Sequence, residues 1–295
     1  MKRFLAIYIP LLLAGVITVS SCIRDEIPDC PDLKIRIAVK DKNYFNVDNV
    51  DLEERMREDL PFKEYIRTLY WVLRDAETGK VMDESEFIDV EGDEQTYLAG
   101  IRPSLPHGKY VLTVWGGLED MDPLGDDPMT VDFHHGNVEG GDVYLTNDTI
   151  VYDAWNHEFT VEMERTKGKL IIEKQNLPSE VTQSTKLIDG LYDGANNAFK
   201  YFGETFMFKQ SDLEVTGTSV VSKTVLVPSI EKDGSTLRLE FSGSSSLPVP
   251  SPVRITMYRN ELTVLRYVWN EDKNSFDVYI LINDSWDLLN NLTIE

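Results

Sequence analysis

The chain has 295 residues and a formal net charge of −22 at pH 7, from 29 basic and 51 acidic side chains. Such a surplus of negative charge repels phosphate backbones, so the composition excludes nucleic acid as a partner. Hydrophobic residues make up 42% of the chain, which is enough for a folded core, and the length suits two ordinary domains or one large β-domain.

Residues 1–21 predict a lipoprotein signal peptide. Lys2 and Arg3 precede an uncharged apolar stretch, and Val19-Ser20-Ser21-Cys22 supplies the apolar residue, two small residues and cysteine of a bacterial lipobox. The alternative is an ordinary signal peptide with a chance cysteine. Lipidation of Cys22, with palmitate among the acyl chains, predicts stable attachment to a membrane. One acyl chain binds a membrane only marginally, whereas two or more give firm anchoring. Cleavage removes two basic residues and no acid, so the net charge moves from −22 to −24.

Residues 22–32 predict a polar, lipidated tether. It contains Arg24, Asp25 and Glu26, followed by two prolines. Of the two cysteines in the chain, Cys22 is consumed by lipid, so Cys30 has no partner for an intramolecular disulfide. Cys30 is then either a small packed residue or a reactive thiol.

The first half of the mature chain has the pattern of short strands separated by turns. Apolar and polar residues alternate from Leu33 to Lys40, which predicts a half-buried strand, whereas 49–60 favours a short helix or a helical loop. Residues 116–141 predict a long loop rich in Asp, Gly and Pro. The predicted strands are 33–40, 65–74, 81–87, 97–101, 109–115, 142–145 and 157–163, and the second and third of these form a predicted hairpin around a turn at 75–80.

The segment 109–115 is apolar on both faces, with Tyr110 on one face and Trp115 on the other. A strand that is apolar on both sides is typical of the centre of a sandwich.

A break in the apolar pattern at 165–168 predicts a domain boundary. We expect an N-terminal β-sandwich at 33–165, with Tyr110 and Trp115 in its core, and a C-terminal β-sandwich at 166–295, with Tyr279 and Ile280 in its core. The predicted strands of the second half are 169–173, 205–208, 220–227, 237–241, 253–258, 263–269 and 276–282.

No motif for catalysis or for a cofactor is present, so the sequence predicts neither an enzyme nor a bound cofactor. The pair His134-His135 is a weak metal candidate because adjacent strand residues point to opposite faces. The acidic residues Asp120, Asp122, Asp126 and Asp127 could offer oxygens to Ca²⁺, but they lack the glycine and terminal glutamate of an EF-hand. We therefore predict a solvated acidic loop and no metal site.

Three aromatic residues, Tyr152, Trp155 and Phe159, lie close together in the sequence. They could form a platform for a sugar ring, or they could be buried, as aromatic side chains more often are. If the strand extends far enough, alternation places Trp155 and Phe159 on one face.

Several segments, in order, resemble the FimB/Mfa-like fimbrial anchor lipoproteins of Bacteroidetes. The start of the mature chain, Cys22 to Pro31, is similar, as is the segment 105–118, which reads Leu-x-x-Gly-x-Tyr, an apolar strand and Trp-Gly. The segments 163–170 and 277–283 resemble the interdomain junction and the final strand of that family.

The resemblance implies an all-β fold of two tandem transthyretin-like Greek-key β-sandwiches. It implies a non-enzymatic surface lipoprotein that anchors or caps a fimbrium at the outer membrane through strand exchange with shaft subunits. Arg24, Asp25 and Glu26 then resemble a surface-export tag, and Leu292, Thr293 and Ile294 become candidates for a donated strand, although the tail after Asp287 is short. The alternative is a surface glycan-binding lipoprotein of a polysaccharide-uptake system.

Overall fold

The computed structural model describes residues 31–102, 105–121, 123–125, 128–215, 217–244, 247–282 and 284–289, and the backbone alone of residue 135. Contacts along the chain separate Met1–Pro31 from one compact unit, Asp32–Glu295. In the described ranges, no helix has the length and apolarity needed to cross a bilayer.

Eight of the nine strands of the first half form one sheet that folds into two layers. Its order is β3-β2-β6-β8-β9-β1-β5, with β4 attached to β2. Side chains of β1, such as Ile35 and Ile37, pack in one hydrophobic core with Leu73 of β2 and Leu112 of β6, so the two ends of the sheet face each other. The strands are β1 Lys34–Val39, β2 Thr68–Asp75, β3 Val81–Glu84, β4 Ile88–Asp89, β5 Tyr97–Ala99, β6 Gly108–Gly116, β7 Thr130–Asp132, β8 Tyr144–Tyr152 and β9 Glu158–Arg165.

Nine of the eleven strands of the second half form a sandwich of two separate sheets. The strands are β10 Gly168–Gln175, β11 Val181–Leu191, β12 Gly194–Asn196, β13 Tyr201–Phe202, β14 Thr205–Asp212, β15 Ser219–Leu226, β16 Ser235–Gly243, β17 Val253–Ile255, β18 Leu262–Asn270, β19 Ser275–Ile282 and β20 Ser285–Leu288. One sheet has the order β15-β10-β18-β19-β20 and the other has the order β14-β11-β16-β17. Stacking of Phe241 of β16 on Phe276 of β19, with ring centroids 5.0 Å apart, joins the two layers.

Both halves share one unusual pairing. The strand that opens each half lies parallel to a later strand of the same half, β1 to β9 and β10 to β18, whereas the other strand pairs are antiparallel. This repeat, together with the strand content, confirms the predicted all-β, sandwich-like fold.

The predicted boundary near residue 165 falls between β9 and β10, but the larger hydrophobic core crosses it. Trp115 and Leu145 pack in one cluster with Leu170 and Leu191. A small sheet, β13-β12-β7, also joins β7 of the first half to β12 of the second. Trp115, which we expected in the core of the first half, therefore packs against the second half, while Tyr110 lies in the first core. The division into two domains stays a prediction.

Several local expectations are confirmed and others are wrong. β6 lies between β2 and β8 as a central strand, and the hairpin of β2 and β3 forms around the turn at 75–80.

The segment 49–60 is loop, because only the 3-10 turn Val47–Asn49 forms there and the described residues contain no α-helix. The other 3-10 turns are Phe62–Glu64 and His135–Asn137. The long loop 116–141 contains β7, and the sequence patterns did not predict β4, β11, β12, β13 or β20.

Candidate functional site: open sheet edges

The predicted attachment and donor residues lie outside the described residues. These are Cys22, the tag Arg24, Asp25 and Glu26, and the tail residues Leu292, Thr293 and Ile294. They stay predictions. The chain just before this tail already forms β20, which pairs antiparallel with β19 at the edge of its sheet.

His134 is a buried residue whose ring is held by hydrogen bonds to the backbone. Its side chain is buried, and burial lowers its pKa to about 4, so the ring is neutral. Nε2 accepts a hydrogen bond from the N–H of Val227 at 3.4 Å, which leaves Nδ1 as the donor to the carbonyl of Val138 at 3.0 Å. Both ring nitrogens are thus used. No group of three or more metal-ligating residues occurs in the part of the chain that the structure describes, where only Asp120 represents the predicted acidic cluster.

The aromatic platform does not form. Tyr152 is buried and its ring meets His107 edge-on, with centroids 4.9 Å apart, whereas Trp155 is 89% exposed. Trp155 lies in the turn between β8 and β9, where the Asp153 carboxylate accepts hydrogen bonds from its N–H and from that of Asn156. The strand does not extend far enough for Trp155 and Phe159 to share a strand face, because β9 begins only at Glu158.

The first unpaired edge lies where β8 and β9 separate. The two strands pair only at Tyr144 with Arg165 and at Leu145 with Glu164. Beyond this point the remainder of β8 pairs only with β6, and β9 pairs on its other side with β1. A cleft of about 460 Å³ opens there, and Asp148, Glu162 and Glu164 give it an acidic lining.

The second open region is one side of the second sandwich, where the edge strands β14 and β15 lie close together. Each is eight residues long, and along the described residues each pairs with one neighbour only, β11 and β10 respectively. The carboxylate of Glu139, which comes from the first half, joins the two edges. It forms an ion pair with Lys209 of β14 and accepts a hydrogen bond from the N–H of Val225 of β15 at 3.1 Å. We call this region the β14–β15 side.

The interior behind the β14–β15 side contains two buried lysines. Lys174 of β10 is 1% exposed and donates to the hydroxyl of Ser222 at 2.9 Å, and Lys186 of β11 is 5% exposed and donates to the hydroxyl of Thr224. Burial lowers the pKa of Lys174 to about 8 and that of Lys186 to about 7. Neither forms an ion pair with any described carboxylate.

A third group of charges connects the halves near residue 165. Arg165 is 4% exposed, forms an ion pair with Asp142, and lies 4.0 Å from the ring centroid of Tyr44. Burial by itself would lower the pKa of Arg165, but the Asp142 carboxylate, Tyr144 and Tyr44 together outweigh this effect and raise it. These contacts stabilise the junction between the halves.

Sequence analysis missed Lys174, Lys186 and Glu139. In β11 the inward positions include Ser184 and Lys186, so the apolar alternation that marks a strand is interrupted. A lysine in phase with the apolar residues Leu170 and Ile172 was the available signal for Lys174.

No family model matches the sequence, and no curated protein matches it either. Solved structures do match. A candidate adhesin from Bacteroides thetaiotaomicron has a TM-score of 0.61 at 13% identity, over 90% of this chain and 100% of the other. A candidate polysaccharide-binding protein from the same organism has a TM-score of 0.57 at 9% identity, over 88% and 99%.

A fimbrial anchor protein is also among the structural neighbours. It is Mfa2 of Porphyromonas gingivalis, with a TM-score of 0.49 at 13% identity, over 87% of this chain and 99% of the other. At these identities, the two higher-scoring matches establish that this chain shares the fold of the candidate adhesin and the candidate polysaccharide-binding protein.

Proposed function

We propose that this protein is a non-enzymatic surface lipoprotein that anchors or caps a fimbrium at the outer membrane. In this account, lipid on Cys22 holds the chain to the membrane, and a sheet edge of the folded body pairs with a strand of a shaft subunit. The lipobox and the ordered family-like segments of the sequence support the first part of the proposal.

The observation that supports strand pairing best is the β14–β15 side. An unpaired edge strand presents a row of N–H and C=O groups, which is a template for pairing with another chain. Main-chain hydrogen bonds along such an edge give affinity, and alternate side chains give specificity. Two eight-residue edge strands on one side of a sandwich offer more backbone groups for pairing than the short strands β3, β5 and β17.

Deletion of the gene in the source bacterium tests the proposal. Shaft subunits should still be made but should be shed into the medium, because the polymer has lost its lipid attachment. Complementation with the wild-type gene should restore retention, and complementation with Cys22→Ala should not. Fimbriae that stay on the deletion strain at wild-type levels would contradict an anchoring role.

The alternative of glycan binding now depends on Trp155, since Tyr152 is buried. An exposed indole held by a fixed turn offers one face for a sugar ring. If glycan recognition is the function, Trp155→Ala should abolish retention of the protein on immobilised polysaccharide while leaving the attachment of fimbriae unchanged.

A further inference from the structure

The pairing of β15 with β10 shows which backbone N–H and C=O groups of β15 point away from the sheet. The N–H of Val225 points away from β10 because Glu139 accepts its hydrogen bond. In an antiparallel ladder, successive residues point to opposite sides, so Lys223 and Val221 also direct their N–H and C=O groups outward. No described strand pairs with this side of β15.

The side chains behind this edge are rich in hydrogen-bond donors. An ammonium group has three N–H donors and no acceptor. Lys174 and Lys186 each have one hydroxyl partner, so donors remain unmatched in a buried region. Tyr267, in register with Lys174 on the neighbouring strand β18, also has a buried hydroxyl with no hydrogen-bond partner in the described part of the chain.

This arrangement already binds one carboxylate. Glu139 is brought in from a distant part of the sequence and bridges Lys209 and the backbone of β15. It is also the carboxylate that acts on Lys186 most strongly, and it favours the charged form of that lysine. The positive charges nearby are Lys174 and Lys209. The charge balance behind the β14–β15 side therefore favours a further carboxylate.

We propose that the β14–β15 side binds an extended segment of a partner protein that carries an acidic side chain, whose carboxylate enters between the two edges and pairs with Lys186 and Lys174. The segment adds to β15 along the outward groups of Val221 and Lys223. Side chains alternate along an extended segment, so the residues two positions from the acidic residue point inward with it. The identification of the segment as part of a fimbrial subunit rests on the proposed function. The test of the acidic preference does not, because it uses synthetic peptides.

Synthetic peptides test the preference directly. The probe is a fluorescein-labelled heptapeptide of alternating threonine and valine with glutamate at the central inward position, and matched peptides carry glutamine or lysine there. Binding to the full lipidated chain in detergent is followed by fluorescence anisotropy. We expect the glutamate peptide to bind about tenfold or more tightly than either matched peptide, because only a carboxylate neutralises the buried ammonium groups.

Lys186→Met should abolish this preference while leaving the protein folded, and Lys174→Met should reduce it independently. Lys232→Met removes an exposed lysine and should leave the preference unchanged. Equal affinity for the three peptides, no binding of any of them, or an unchanged preference in both Lys186→Met and Lys174→Met would overturn the inference. Fimbrial attachment that survives Lys186→Met would also count against it without affecting the anchoring role, whereas a peptide preference in a protein that does not bind fimbriae would contradict only that role.

Discussion

Replacing Lys186 by methionine should make the free protein more stable, although the substitution removes a hydrogen bond. Lys186 is 5% exposed, and its pKa falls from 10.5 to about 7 because burial disfavours the charged form. At ~1.36 kcal/mol per pH unit, this difference corresponds to a destabilisation of about 5 kcal/mol when the amine is charged in both states. Methionine fills a similar volume without this cost.

The expected net gain is smaller, because the hydroxyl of Thr224 loses its partner. An unsatisfied buried hydroxyl costs about 1–3 kcal/mol, so we expect Lys186→Met to raise the free energy of unfolding by about 2–4 kcal/mol at pH 6. The sign of the pH dependence follows from the lowered pKa. Between pH 7 and pH 10.5 the unfolded chain binds more protons than the folded protein, so wild-type stability rises with pH over this range. The advantage of the variant should therefore be largest below pH 7 and should shrink towards pH 10.

Urea unfolding of both proteins at pH 6, 8 and 10, followed by tryptophan fluorescence, measures this difference. Lys232→Met serves as the control, since its side chain is exposed and its removal should leave the midpoint unchanged. A variant that is less stable than wild type at every pH, or whose advantage grows with pH, would refute the reasoning about the buried amine.

Three other predictions follow from the structure and the sequence. Arg165→Met should lower the free energy of unfolding by about 3–5 kcal/mol in urea titrations, because Asp142 would stay buried without its partner, and a loss below 1 kcal/mol would contradict this. Trp115→Ala should cost about 3–5 kcal/mol in the same assay, since the side chain is fully buried and joins the two halves, and a near-neutral effect would show that the shared core is not needed. Cys22→Ala should move the protein from the detergent phase to the aqueous phase, or leave it unprocessed, and normal partition would disprove lipidation there.

The sequence predicted those elements whose burial follows a regular period. β1 alternates cleanly, and β6 is apolar on both faces because it lies between two strands and two cores. β11 escaped prediction because Ser184 and Lys186 occupy inward positions, and β8 was predicted to be shorter because Asn147 and Asp148 are exposed along its middle.

The candidate site depended on contacts that no local pattern encodes. Glu139 and Val225 are 86 positions apart in sequence, and only the packing of the first half against β15 brings them together. In the same way, Lys174 looks like a surface residue of an acidic protein until β18 and β15 enclose it. Conversely, the turn at 75–80 was predictable because the residues that favour a turn follow one another in the chain.

The measurement that tests the central claim most directly is the co-purification of shaft subunits with two variants at Val221. Val221→Pro removes an outward N–H of β15 without removing a hydrogen bond to β10, whereas Val221→Thr keeps the backbone donor and the β-branched shape. If an exposed edge of β15 receives a shaft strand, Val221→Pro should lose shaft subunits from detergent-solubilised membranes, and Val221→Thr should retain them. Circular dichroism checks that both variants are folded. Full retention of shaft subunits by folded Val221→Pro would contradict the account.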